Sequence, residues 1–129
     1  MQPGVREASR WSLHNDECLI MRVFLVRHGQ AKPKAEDPDR ALTHQGVADV
    51  QRIAAFLRPL RLNLDVIWHS GKSRAEQTAR ILASAAAARQ GVVERDGLSP
   101  NDPVRPIQKV IRALDVDAMI VGHPAFERR

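Results

Sequence analysis

The chain has 129 residues, of which 43% are hydrophobic and 27% charged, as fits one globular domain with a single core and no room for a second. Aromatic residues make up only 4% and Tyr is absent, which argues against a stacking surface for single-stranded nucleic acid. The formal net charge is +5, but the sixteen Arg among the twenty basic residues are scattered from Arg6 to Arg129, so the charge supports attraction to phosphorylated or acidic partners and not a nucleic-acid interface.

The first twenty residues show neither helical nor strand period and are expected to form a mostly disordered extension ahead of a domain spanning 21–129. They include Glu7, Asp16 and Glu17 and no apolar run long enough for a signal peptide. Cys18 has no second cysteine to pair with, which fits a reducing cytoplasm. No stretch of the chain approaches a membrane span. The expectation is a soluble, cytoplasmic, monomeric protein.

Met21 to Val26 is short and nearly continuous in apolar character, as a strand covered on both faces should be. Lys32 to Asp39, with Pro33 and Pro38, reads as a polar loop. Val47, Val50, Ile53, Ala54 and Leu57 follow the 3.6-residue period and predict a helix over 46–57, stopped by Pro59. Leu64 to Trp68 is a second buried strand. Ala75, Thr78, Ile81, Leu82 and Ala85 form the inner face of an Ala-rich helix predicted over 73–88. A short strand at 92–95, a loop at 101–106, a helix at 107–114 and a strand at 118–121 complete the pattern. Strands alternating with helices predict an α/β domain with a mostly parallel central sheet flanked by helices.

In such a sheet, ligands bind at the carboxyl ends of the strands. Three strands here end in residues suited to phosphate: Arg27-His28-Gly29, Ser70 to Arg74, and Gly122-His123-Pro124. His28 is the candidate nucleophile, because imidazole is largely neutral near pH 7 and forms a phosphohistidine that splits the transfer into two steps. Gly29 is expected to allow a sharp turn and close approach of phosphate to the backbone. Arg27 and Arg74 offer paired planar donors to a dianionic phosphoryl group, and Arg74 opens a helix whose N-terminus favours anions. His123 is the candidate hydrogen-bond donor to the phosphoryl oxygens.

Taken with Leu42-Thr43-His44-Gln45-Gly46 and Ser70-x-x-x-Arg74-Ala75-x-Gln77-Thr78, these segments resemble the histidine phosphatase superfamily, with its phosphoglycerate mutase-like fold. Within it they are similar to the small SixA-like phosphohistidine phosphatases. The resemblance runs from Met21 to the C-terminus. It implies His28 as nucleophile, Arg27, Arg74 and His123 around the phosphoryl group, no cofactor, and a histidine-phosphorylated protein as substrate. Many sugar-phosphate enzymes of the superfamily carry an Asn where this chain has Lys34, and a longer lid where only forty-eight positions separate Arg74 from His123. Such an open site suits phosphohistidine displayed on another protein.

Relatives place a general acid before the third helix, where the candidate is Asp102. A proline-flanked Asp at a turn or helix start fits that position equally. A phosphoramidate needs an acid less than an alcohol monoester does, since protonated imidazole leaves readily. Gly71-Lys72-Ser73 mimics the end of a P-loop, but the required Gly is Val66. His28, His69 and His123 lack the spacing and carboxylates of a metal site, so no metal is expected. His14, His44 and His69 otherwise read as loop or surface residues. The superfamily normally continues by a further helix and strand beyond the second His, so the domain is expected to lack these. Two alternatives therefore stand beside the phosphohistidine phosphatase: a phosphomonoesterase for a small metabolite, and a truncated, inactive anion-binding domain.

Overall fold

A computed structural model describes the backbone of residues 5–14 and 17–123, with side chains described from Arg22 onward. It is an α/β domain with a mostly parallel central sheet. Strands β1 (Val5–His14), β2 (Glu17–Arg27), β4 (Val66–His69), β6 (Val92–Glu94) and β7 (Ala118–Gly122) lie in the order β1-β2-β7-β4-β6. Only β1 runs antiparallel to its neighbour. Two short strands, β3 (Asn63–Leu64) and β5 (Ala87–Ala88), pair separately and in parallel. The helices are α1 (His44–Leu57), α2 (Ser73–Ala83) and α3 (Val104–Ala113). None of the described helices is long and apolar enough to cross a membrane.

The near-continuous apolar strands feed two cores. Phe24, Val26, Ile67, Met119 and Val121 face α1 and α2, packing on Val50, Ile53, Ala54, Ala75, Ala79 and Leu82. The alternate residues Val23, Val66, Trp68, Ala118 and Ile120 face the other way, onto Leu98 and Ile107 of the α3 side. Successive strand side chains point to opposite faces, so a strand without polar alternation forces a layer of helix on each side.

Five local departures from the sequence expectations have physical causes. The 1–20 segment was expected to be mostly disordered, yet Val5–His14 pairs with Val26–Glu17 along its whole length. Antiparallel pairing satisfies the backbone groups of the outer edge of β2, a gain that side-chain periodicity does not reveal. The expected strand 64–68 is divided at Asp65, whose amide donates to Asp117 O (2.7 Å) and whose carboxylate receives Arg89 and Gln90. The helix expected over 73–88 stops at Ala83. Ala85 and Ala86 turn into the core, and Ala87 N–H donates to Leu62 O at 3.0 Å, so tertiary pairing overrides the propensity of the Ala run. Helix α3 starts at Val104, three residues before the expected 107. Pro106 falls in its first turn, where no intrahelical N–H bond is lost. His69, expected at the surface, is buried. The expected loss of a final helix and strand concerns the chain beyond His123, outside the described residues.

Helix α1 is set against the loop that follows β2. Thr43 caps it by accepting the Gly46 N–H at 2.9 Å, and Thr43 N–H donates to Gln30 O at 3.0 Å. A Cβ at Gly46 would overlap the Gln30 carbonyl. Gly46→Ala must therefore push the helix off the loop, and overpacking of this kind costs about 1–3 kcal/mol. A urea titration should show that loss; an unchanged midpoint would mean the helix and loop are not held together here.

Candidate active site

The parallel register aligns the ends of β2 and β7. Arg27 pairs with Gly122, and His28 N–H extends the ladder to Gly122 O at 3.1 Å. The two residues leaving these strands, His28 and His123, consequently face each other edge to face, with ring centroids 4.8 Å apart. Strand β4 lies on the other side of β7, pairing His69 with Val121, and delivers Ser70 and then α2 to the same edge. Ser70 Oγ is 2.9 Å from His123 Nε2.

Helix α2 is tied to the β2 end by its own side chains. Gly29 N–H donates to Thr78 Oγ1 (3.0 Å), and the Thr78 hydroxyl donates to Arg74 O (2.7 Å), all buried. Leu42 N–H donates to Gln77 Oε1 at 2.7 Å. The Gln77-Thr78 pair of the motif thus locks the first turn of α2, with Arg74, against the chain on either side of the 30–41 loop. Sequence reasoning had these two residues inside a motif but gave Gln77 no role and Thr78 only a packing one.

Gly29 serves differently from expectation. It is not among the glycines with positive φ, and its amide is occupied by Thr78 and its carbonyl by His28. A Cβ there would lie 2.8 Å from Val50 Cγ2 and 3.1 Å from Gly46 O. Close packing of α1, not a sharp turn or a direct phosphate contact, accounts for the glycine.

His28 Nδ1 lies 2.7 Å from Gly29 O. A carbonyl only accepts, so Nδ1 carries the proton and Nε2 presents a lone pair whenever the ring is neutral. Burial holds the His28 pKa below the ordinary 6.5; the Gly29 bond opposes this, while Arg74, Arg40 and Arg27 add to the lowering. His123 is pushed down to about 3, first by burial and then by His28, Arg74, Lys72 and Arg40. Arg74 is 8% exposed, and its Nε and His123 Nδ1 are buried nitrogens without a hydrogen-bond partner. Orphaned buried donors are rare and demand an explanation.

These shifts have a consequence for stability. Folded His123 stays neutral between pH 6.5 and about 3, whereas the unfolded chain protonates it below about 6.5. The unfolded state then binds more protons, so stability is full above pH 6.5 and is lost as the pH falls. Between pH 6.5 and 5, where carboxylates contribute little, the unfolding free energy should decline with a His123-dependent slope approaching about 1.4 kcal/mol per pH unit. Urea titrations of wild type and His123→Gln would expose the difference; parallel slopes would show that His123 protonates freely in the fold.

Three other positions complete the picture. Arg40, which directly follows the expected polar loop and was passed over in the sequence, has φ of 51°, donates from Nε to Lys32 O at 3.0 Å, and projects its charge onto His28, Arg74 and His123. No local period or motif marks such a residue; only the folded loop brings it here. Asp102 lines the same cleft as Arg74, but its Oδ2 accepts the Ser99 N–H at 3.0 Å, so the turn-forming role is occupied. His69 Nδ1 accepts the Gly71 N–H at 3.0 Å, which occupies that ring nitrogen. Among the described residues no group of three His, Cys, Asp or Glu side chains is placed to hold a metal.

Known proteins share the sequence pattern and the fold. The profile of the histidine phosphatase superfamily (branch 1) matches residues 23–99. An uncharacterized protein of Picosynechococcus sp. is 34% identical over 110 residues, covering 80% of this chain and 66% of that protein, just under two thirds. A SixA protein of Agrobacterium tumefaciens, described as a candidate phosphohistidine phosphatase, superposes with a TM-score of 0.68 at 30% identity over 84% of this chain and 73% of its own. A protein histidine phosphatase SixA complexed with tungstate gives 0.73 at 25% identity, over 82% and 71% of the two chains.

Proposed function

The chain belongs to the histidine phosphatase superfamily, and on that footing we propose that it is a phosphohistidine phosphatase, removing the phosphoryl group from a histidine-phosphorylated protein through a covalent phosphohistidine on His28. The observation that carries this reading is the apposition of two imidazoles 4.8 Å apart, both held below the ordinary pKa by burial, beside a buried guanidinium, with unpartnered nitrogens on His123 and Arg74. Those nitrogens have the chemistry to donate to phosphoryl oxygens.

In the first step the His28 Nε2 lone pair attacks phosphorus and the bond to the substrate imidazole breaks; that ring, already protonated at its other nitrogen, takes the bonding pair and leaves as neutral imidazole. In the second, water attacks phosphorus, the bond to His28 breaks, and inorganic phosphate leaves. Arg27 and Arg74 balance the dianion throughout, so the chain's own charges do the work a metal would do elsewhere. His123 donates from Nδ1 if the Ser70 hydroxyl donates into Nε2; Ser70 is in turn held by the Lys72 N–H at 3.3 Å. With its hydroxyl donating, Ser70 is a positioning residue that favours the tautomer with the proton on Nδ1.

A structure of a similar protein with tungstate bound makes that anion a fitting probe. The decisive experiment is incubation with phosphoramidate followed by quenching: acid-labile, alkali-stable phosphate on the protein is expected. Turnover without such a label would remove the phosphoenzyme. Asp102, on the wall of the cleft that holds Arg74, keeps a metabolite phosphomonoesterase as the second reading. Rates on alcohol phosphates exceeding those on phosphoramidate, and lost in Asp102→Asn, would favour it.

A further inference from the structure

Resting on the phosphatase reading, we propose that the cleft running outward from Arg74 is a recognition subsite for acidic side chains that flank the phosphohistidine of a protein substrate. The cleft has a volume of about 680 Å³, and Lys34, Arg40, Lys72 and Arg74 line it together with Asn101 and Asp102. One phosphoryl dianion is balanced by two guanidinium groups, and Arg27 and Arg74 supply those. Arg40, Lys34 and Lys72 are therefore in excess of what phosphate alone needs.

The excess is not absorbed internally. Ion pairs among the described residues join Arg52 to Asp49, Arg80 to Glu76 and Arg89 to Asp65, and none takes up Lys34, Arg40 or Lys72. Asp39 and Asp102 also line the cleft, so with Arg74 assigned to the phosphoryl group three cations, Lys34, Arg40 and Lys72, face two carboxylates, and Oδ2 of Asp102 already accepts the Ser99 N–H. Clefts lined by one dominant sign concentrate ligands of the other.

The placement of the charges points to a polypeptide and not to a second anion on a small metabolite. Lys34, Lys72 and Asn101 are exposed, on loops at the rim. Long flexible ammonium groups at a rim suit carboxylates presented on another surface, whereas a compact metabolite is held by enclosed groups. Rim charges act through water, so their effect is modest and falls with salt.

Two phosphohistidine peptides of equal length test this, one with Asp and Glu beside the phosphorylated residue and one with Asn and Gln, alongside phosphoramidate as a substrate without flanks. At low salt kcat/KM for the acidic peptide should exceed that for the neutral one roughly fivefold, and the gap should close at high salt. Lys34→Glu should abolish or invert the preference while leaving phosphoramidate turnover unchanged, and Lys34→Arg should retain it. Equal rates on the two peptides, or a preference untouched by Lys34→Glu, would overturn the subsite. Absence of turnover on all three substrates would instead fall on the phosphatase reading. The subsite is then still read by calorimetry with His28→Ala, where equal Kd for the two peptides refutes it and tighter binding of the acidic one supports it.

Discussion

Replacing His28 by Ala should eliminate the phosphoenzyme and lower turnover of phosphoramidate by at least ~10³-fold, as loss of a nucleophile does in other covalent catalysts. The size follows from the geometry. Nδ1 is committed to Gly29 O, so Nε2 is the one ring nitrogen free to attack, and Ala offers no substitute. His28 is only half-buried, and its neutral ring gives up little stabilising charge interaction, so the urea midpoint should move little. Tungstate should still bind, since Arg27, Arg74 and His123 remain. That combination, dead chemistry with surviving anion binding, separates a lost nucleophile from a lost fold. Labelled protein persisting in His28→Ala would assign the phosphoryl group to another residue.

The second large effect is expected at His123. Removing a preorganised donor to a developing charge costs about 10²–10³ in kcat, and His123→Ala should show a loss in that range with a smaller change in KM. The side chain is 1% exposed, so the variant also leaves a cavity, and its unfolding midpoint must be measured beside the rate. Ser70→Ala supplies the cleaner comparison. It keeps the ring but removes the hydroxyl 2.9 Å from Nε2, and the neutral ring can then place its proton on either nitrogen. A drop of roughly tenfold is expected, with the His123 nitrogen chemical shifts moving toward a tautomer mixture. A Ser70→Ala protein with wild-type rate and unchanged shifts would deny the hydroxyl its positioning role. If His123→Ala matched wild-type kcat while folded, the donor assignment itself would fail.

Much of the fold could be read from the chain because its signals are local. The strands ending at Arg27 and Gly122 carry no polar alternation, which only a sheet covered on both faces tolerates, and α1 repeats its apolar residues at the helical period. Boundaries were read less well wherever a distant partner decided them. The Ala85-to-Ala88 run has high helix propensity, yet Leu62 and Leu64 capture Ala87 and Arg89 in a short parallel pairing. Val5–His14 joined the sheet because β2 offered an unpaired backbone edge, a partner that the residues of the segment do not announce.

At the site, residue identity, strand endings and the family resemblance made Arg27, His28, Arg74 and His123 the candidates, because side chains directly after buried parallel strands emerge at one edge of the sheet. Which groups act on one another was decided only by the fold. The His28 tautomer depends on a carbonyl in its own turn, the His123 pKa on burial beside His28, Arg40, Lys72 and Arg74 from three separate segments, and Arg40 on a loop conformation with positive φ. Gly29 looked like a phosphate contact and proved to be a packing contact for α1. The sequence by itself determined the layer architecture and the chemical inventory, since both follow from periodicity and residue type. The tertiary structure alone decided proton positions, charge balance and the shape of the cleft, since these depend on distances between residues far apart in the chain.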